Sequence, residues 1–238
     1  MIIKHKTMER KKFVVIGLGK FGFKLVEELN EMGLEVVAID SDSEKIEKIR
    51  DIASESIILN ATDKEALEKC GVRDVDAVVV CKGREMEISI LITSILKEIG
   101  VKEIICRAEN SLHAKILKKI GADVVIYPEE DMAVRLAHTI HFPDVREYIE
   151  IEGPWDLAGL KISKKSKLVG RKIGDILRGT KERIDILMIE KILRSEKEKK
   201  GTEIKRVIPK SDYKIENGDV LILFAKPKDL DKFIKKNS

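Results

Sequence analysis

The stretch Phe13-Val14-Val15-Ile16-Gly17-Leu18-Gly19-Lys20-Phe21-Gly22 decides the fold, together with Glu35-Val36-Val37-Ala38-Ile39-Asp40 beyond it. An apolar run enters Gly-x-Gly-x-x-Gly, an amphipathic segment follows, and a second apolar run ends in an acid. That order is the dinucleotide-binding fingerprint in its strand–helix–strand setting. Gly17 permits a tight turn, Gly19 lets a phosphate come close to the backbone, and Gly22 lets the helix pack on its strand. The helix that opens after Gly19 offers free N–H groups and the positive end of its dipole to an anion. Asp40 lies 23 positions after Gly17 and is placed to accept from ribose hydroxyls.

Outward from this unit the pattern repeats. Apolar runs at 13–16, 35–39, 56–59, 77–81, 103–106 and 123–126 are rich in Val and Ile with little alternation, as in strands covered on both faces. Helical patterns fall near 20–32, 43–52, 63–70, 85–99 and 110–120, with Asp63 and Asn110 as N-caps. Six strands joined by right-handed crossovers predict a doubly wound parallel α/β sheet over residues 11–142. A further helix, about 129–141, carries Met132, Val134, Leu136, Ala137 and Ile140, more apolar positions than one sheet face needs. It reads either as a crossover helix that leaves its sheet, toward a second subunit, or as an ordinary last helix.

Phe142-Pro143-Asp144 marks a boundary, and residues 143–153 read as a linker or a first strand, with 143–150 assigned as the linker. Strand-like runs at 157–162, 184–193, 204–208 and 219–225, a short helix near 171–177 and a closing helix over 229–236 predict a small α+β domain spanning 151–238. Residues 196–201 read as a charged hairpin turn, and residues 1–10 as a basic arm.

The chain has 238 residues, 43% apolar and 37% charged, enough for a core and two domains. The net charge of +4 conceals an asymmetry. Residues 151–238 carry 23 Lys and Arg against 14 Asp and Glu, whereas residues 1–150 carry 23 against 28. No run reaches the roughly 20 apolar residues of a membrane span, and the first eight residues lack the apolar centre of a secretory signal. Cys70, Cys81 and Cys106 are odd in number and lack paired spacing, which fits a reduced, cytoplasmic chain.

In such a sheet the ligand sits at the carboxyl ends of the strands. Those ends supply Lys20, then Asp40, Ser41 and Asp42, then Asn60 and Ala61, then Lys82, Gly83 and Arg84, then Arg107, Ala108 and Glu109, with His113 one turn later and Glu129 after the sixth strand. Asn60 and nearby backbone suit an adenine edge. Lys20, Lys82, Arg84 and Arg107 together favour concentrated negative charge, such as ADP or ATP, over NAD(H) alone. Asp40 and Asp42 disfavour a 2′-phosphate by like-charge repulsion. No Walker loop and no acid–base pair stands out, and His138 and His141, three apart, lack further metal ligands. The residues leave a small NAD-dependent oxidoreductase open, with His113 as its base. A DNA-binding repressor lacks a helix-turn-helix.

The runs Gly17–Gly22, Val37–Asp40, Asn60–Asp63, Arg107–Asn110 and Lys119–Met132 resemble the regulator-of-potassium-conductance (RCK) domain. Val207-Ile208-Pro209 and 212–223 resemble its small C-terminal partner. The whole layout, about residues 11–238, is similar to the cytosolic Ktr/Trk-type regulatory subunits of potassium uptake. The resemblance implies ATP, ADP or NAD(H) as a regulatory ligand held by Gly17, Gly19, Lys20, Phe21, Gly22, Asp40 to Asp42, Asn60, Ala61, Lys82 to Arg84, Arg107 to Glu109 and His113. It implies a homodimer, an octameric ring in many members, and a membrane potassium transporter as partner, with no nucleic acid. In some members the position of Glu129 holds a monovalent or divalent cation between subunits, and in some the C-terminal domain binds cyclic di-AMP. Members often carry Arg where this chain has Lys20, a point charge in place of a bidentate fork.

Overall fold

The computed structural model describes residues 11–151, 153–194 and 202–237. The basic arm at 1–10 and the charged turn at 196–201 lie outside the described residues. The chain divides into two compact units between Glu129 and Glu130.

The first unit is a parallel sheet of six strands, β1 (Lys12–Ile16), β2 (Glu35–Asp40), β3 (Glu55–Ile58), β4 (Ala77–Val80), β5 (Ile104–Arg107) and β6 (Val124–Ile126). Their spatial order is β3-β2-β1-β4-β5-β6, so the strand order reverses between β1 and β4. The Val/Ile runs are explained by burial on both faces. Val14, Ile16, Val37, Ile39, Val78 and Val80 enter one core cluster, while Val15, Val36, Ala38 and Val79 enter another. The intervening helices are α1 (Lys20–Glu31), α2 (Ser43–Ile49), α3 (Lys64–Lys69), α4 (Met86–Ile99) and α5 (Ser111–Ile120). Three starts are fixed by side chains. Asp42 accepts from Glu44 N–H, Asp63 from Ala66 N–H and Asn110 from His113 N–H. The start of α1 has no such cap: Gly19 stands at its N-cap and leaves the first-turn N–H groups uncapped by any side chain.

Cys106 lies on β5 and Cys81 directly follows the neighbouring β4, but they enter different clusters, on opposite faces of the sheet. Burial pushes their thiols up, to about 12 and about 11. Iodoacetamide at neutral pH is therefore expected to alkylate the half-buried Cys70 well before either of them. Intact-mass analysis against time checks this.

Helix α6 (Pro128–His141) has no buried residue along its length. Met132, Leu136 and Ile140 are 58, 56 and 71% exposed and form one apolar stripe at i, i+4, i+8 spacing. At its far end the His138 ring stacks flat on Tyr148, with centroids 3.6 Å apart.

Of the two readings for the stretch after Phe142, the assigned linker gives way to the strand, β7 (Val145–Glu150), antiparallel to β8 (Asp156–Lys161). It is an edge strand that buries only Val145 and Tyr148, so no apolar run announces it. The second unit continues with α7 (Ile173–Gly179), β9 (Ile184–Arg194), β10 (Thr202–Val207), β11 (Val220–Ala225) and α8 (Pro227–Asn237). Its five-stranded antiparallel sheet has the order β10-β9-β11-β8-β7. The core joins Leu160, Leu221 and Leu223 of the sheet to Ile176 of α7 and to Leu230, Phe233 and Ile234 of α8. The second domain is thus α+β, and it follows a doubly wound α/β domain. Among the described residues no helix is long and apolar enough to cross a membrane.

Candidate functional site

A cleft of about 560 Å³ opens at the carboxyl ends of β1, β2, β4 and β5, beside the point where the strand order reverses. The glycine loop builds one wall. Gly17 sits at φ 99°, and a Cβ there would meet the Lys82 stem at 3.2 Å. A Cβ on Gly22 would stand 2.0 Å from the Gly17 carbonyl oxygen, which is why α1 approaches the loop so closely only with glycine there. A Cβ on Gly19 would meet nothing within 4 Å, and Gly19 is among the residues that line the cleft.

Asp40 ties the loop to β2. Its Oδ2 accepts from Leu18 N–H at 2.7 Å and its Oδ1 from Asp42 N–H at 3.0 Å, and its side chain is 1% exposed. Lys45 Nζ and Lys82 Nζ stand 3.7 and 3.8 Å from the same carboxylate. Burial pushes the Asp40 carboxyl up, but the two N–H donors and the two ammonium groups outweigh it and hold the carboxyl below its ordinary value. Asp40 therefore works first as the strut that shapes the glycine loop.

The four cations expected from the strand ends all line the cleft: Lys20, Lys82, Arg84 and Arg107. Lys24 and Lys45 line it as well, from α1 and α2. These two sequence reasoning missed, because they sit on helices whose approach to the loop depends on tertiary packing. Gly83 makes room for one cation: a Cβ there would stand 3.2 Å from both Cγ and the carbonyl oxygen of Arg107. Arg107 pairs through Nη2 with Glu129 and lies 5.8 Å over the Phe21 ring, while its buried Nε has no partner. Six cations thus face three acids (Asp40, Glu85, Glu129) around one opening, which suits a ligand carrying several negative charges.

Other expected contacts lie elsewhere. Ser41 and Asp42 do not line the cleft, and the Asp42 carboxylate caps α2. Asn60 is exposed, with Oδ1 held by Thr62 N–H and Oγ1, and neither it nor Ala61 lines the cleft. Ala108 is buried, and Glu109 donates its N–H to His113 Nδ1 at 3.3 Å. His113 is fully buried, with Nε2 2.7 Å from Ser89 Oγ. Since Nδ1 accepts, Nε2 carries the proton and donates to Ser89, whose hydroxyl donates to Met86 C=O. Burial lowers the His113 pKa and keeps the ring neutral. His113 is a packing residue between α4 and α5. It is not among the residues that line the cleft. The expected 2′-phosphate exclusion also weakens, because Lys45 lies 3.5 Å from Asp42 as well as beside Asp40.

Residues 13–128 match the TrkA-N domain family. The Ktr system potassium uptake protein C of Bacillus subtilis (strain 168) is 38% identical over 227 residues, 95% of this chain and 97% of that protein. The Ktr system potassium uptake protein A of Vibrio alginolyticus is 32% identical, across 92% of this chain and 94% of that protein. Among solved structures, the GsuK RCK domain superposes with a TM-score of 0.63 at 12% identity, covering 98% of this chain and 48% of that one. The fold is thus shared with a chain about twice as long. From its glycine loop to α8, this chain belongs to the Ktr/Trk-type RCK family.

Proposed function

We propose that the chain is a nucleotide-binding regulatory subunit of a potassium uptake system. The observation that carries this reading is the cation-rich cleft at the glycine loop, in a chain matching a Ktr potassium uptake protein over nearly its whole length. The ligand is an adenosine phosphate or NAD(H), whose phosphates meet the uncapped start of α1 together with Lys20, Lys82, Arg84 and Arg107. A protein of the same fold, the GsuK channel, is described as bound to NAD.

The site acts as a switch. Nucleotides bias an equilibrium between arrangements of neighbouring copies only if they bind those arrangements with different affinity, and a tenfold preference corresponds to about 1.4 kcal/mol per site. The chain works as a homodimer or larger ring at the cytoplasmic face of the membrane, against a transporter subunit. The exposed stripe of α6 supports contact between copies. Glu129 supplies one carboxylate toward a cation, and further ligands would come from the phosphates and a second copy.

Calorimetric titration of the intact chain is expected to show binding of ATP, ADP or NADH and none of plain ribose. ATP differs from ADP only in its terminal phosphate, so Lys20→Ala is expected to shrink the ATP-to-ADP affinity ratio several-fold. An unchanged ratio would remove Lys20 from phosphate discrimination. A chain indifferent to every adenosine phosphate would remove the function itself.

A further inference from the structure

Arg107 is held in a specific way. Its stem lies in the clearance left by Gly83, its guanidinium rests over Phe21, and Nη2 is paired with Glu129 in the first turn of α6. Two features make the pair provisional. The Glu129 side chain is 63% exposed, so water screens and competes with it, whereas the Arg107 side chain is only 13% exposed. The Arg107 Nε is buried with no acceptor, so the guanidinium has a donor left over. Both residues line the same cleft as Lys20, Lys82 and Arg84.

Resting on the nucleotide-binding reading above, we propose that the Arg107–Glu129 pair is a latch opened by competition. A phosphate entering the cleft takes Arg107 from Glu129 because a phosphate offers two adjacent oxygens to the guanidinium fork, including the donor that now lacks a partner. Glu129 belongs to the first turn of α6, whose remainder belongs to the second unit. Opening the latch therefore frees one end of the helix that leads into that unit. The latch senses phosphate, not adenosine: a nucleoside without phosphates leaves it shut.

The test is calorimetry in EDTA, which removes divalent cations, with the monovalent salt held constant and ADP and adenosine as probes. Glu129→Gln keeps the shape, removes the competing charge and is expected to tighten ADP on the order of threefold, the worth of one exposed ion pair. Adenosine affinity is expected to stay as it is. In an Arg107→Gln background the same Glu129→Gln change is expected to do nothing, because the two residues act as one unit. ADP affinity that is unchanged or weaker in Glu129→Gln overturns the latch. An equal gain with or without Arg107 also overturns it, since Glu129 would then merely repel phosphate through space. A wild-type chain that binds no adenosine phosphate overturns the nucleotide reading together with the latch, and that outcome is distinct from both.

Discussion

Replacing Gly22 by alanine is expected to lower the melting temperature by on the order of 10 °C and to abolish nucleotide binding. The new Cβ would stand 2.0 Å from the Gly17 carbonyl oxygen, a distance no real contact reaches, and 3.2 Å from Cys81 Cβ. Neither neighbour is the free end of a flexible side chain. The loop or the whole of α1 has to move, and overpacking of this kind costs about 3 kcal/mol. In a chain of this size that corresponds to on the order of 10 °C. Gly19→Ala separates folding from binding. Its Cβ would meet no protein atom within 4 Å, so the melting temperature is expected to hold. Gly19 lines the cleft, where a phosphate must approach the backbone, so affinity is expected to drop tenfold or more, about 1.4 kcal/mol. Calorimetry and thermal melts on the two variants check both halves. Equal melting temperatures for Gly22→Ala and Gly19→Ala would refute the packing account of the loop.

Asp40→Asn is expected to destabilise the chain at neutral pH by about 2 kcal/mol and to flatten its response to acid. The amide keeps the size of the side chain but loses the acceptor strength that holds Leu18 N–H and Asp42 N–H. It also leaves Lys45 and Lys82 without their shared counter-charge. In the wild type the native Asp40 carboxyl titrates below its unfolded value near 3.9. The unfolded chain therefore takes up the proton first as pH falls. The stability Asp40 provides is complete above about pH 4 and is lost as pH drops through the native value. His113 adds an earlier step of the same sign, because burial lowers its native pKa below the unfolded value near 6.5. Wild-type melting temperature is expected to decline gently below about pH 6.5 and more steeply below about pH 4. Asp40→Asn is expected to keep the first decline and lose the second. Two coincident pH profiles would show that Asp40 bears no native-state charge burden.

Much of this is written locally in the chain. The glycine triplet, the bare Val/Ile strands and the N-caps Asp63 and Asn110 each depend on neighbours within a few residues, so periodicity and spacing expose them. The four strand-end cations were legible for the same reason: the rule that ligands sit at carboxyl strand ends turns position into place. What escaped depends on distant partners. Lys45 reaches the cleft only because α2 folds back beside β2 and sets it 3.7 Å from Asp40. Strand β7 reads as either linker or strand because an edge position exposes Arg146, Glu147 and Glu150 to water. Two structural roles had visible signals. Asp42 stands before Ser43-Glu44, an ordinary N-cap setting, and that is the work its side chain does. His113 falls beside Ala114 and one turn before Leu117, on the buried side of α5.

Helix α6 bears on how freely the sequence can drift. In the cores an apolar side chain is held in place by what surrounds it, and trimming it leaves a hole. Met132, Leu136 and Ile140 are wetted on their own chain, so polar replacements there subtract almost nothing from the fold of a solitary copy. If copies meet through this stripe, as proposed above, polar replacements at the three positions are expected to weaken association between copies while leaving the melting temperature of a single copy nearly unchanged.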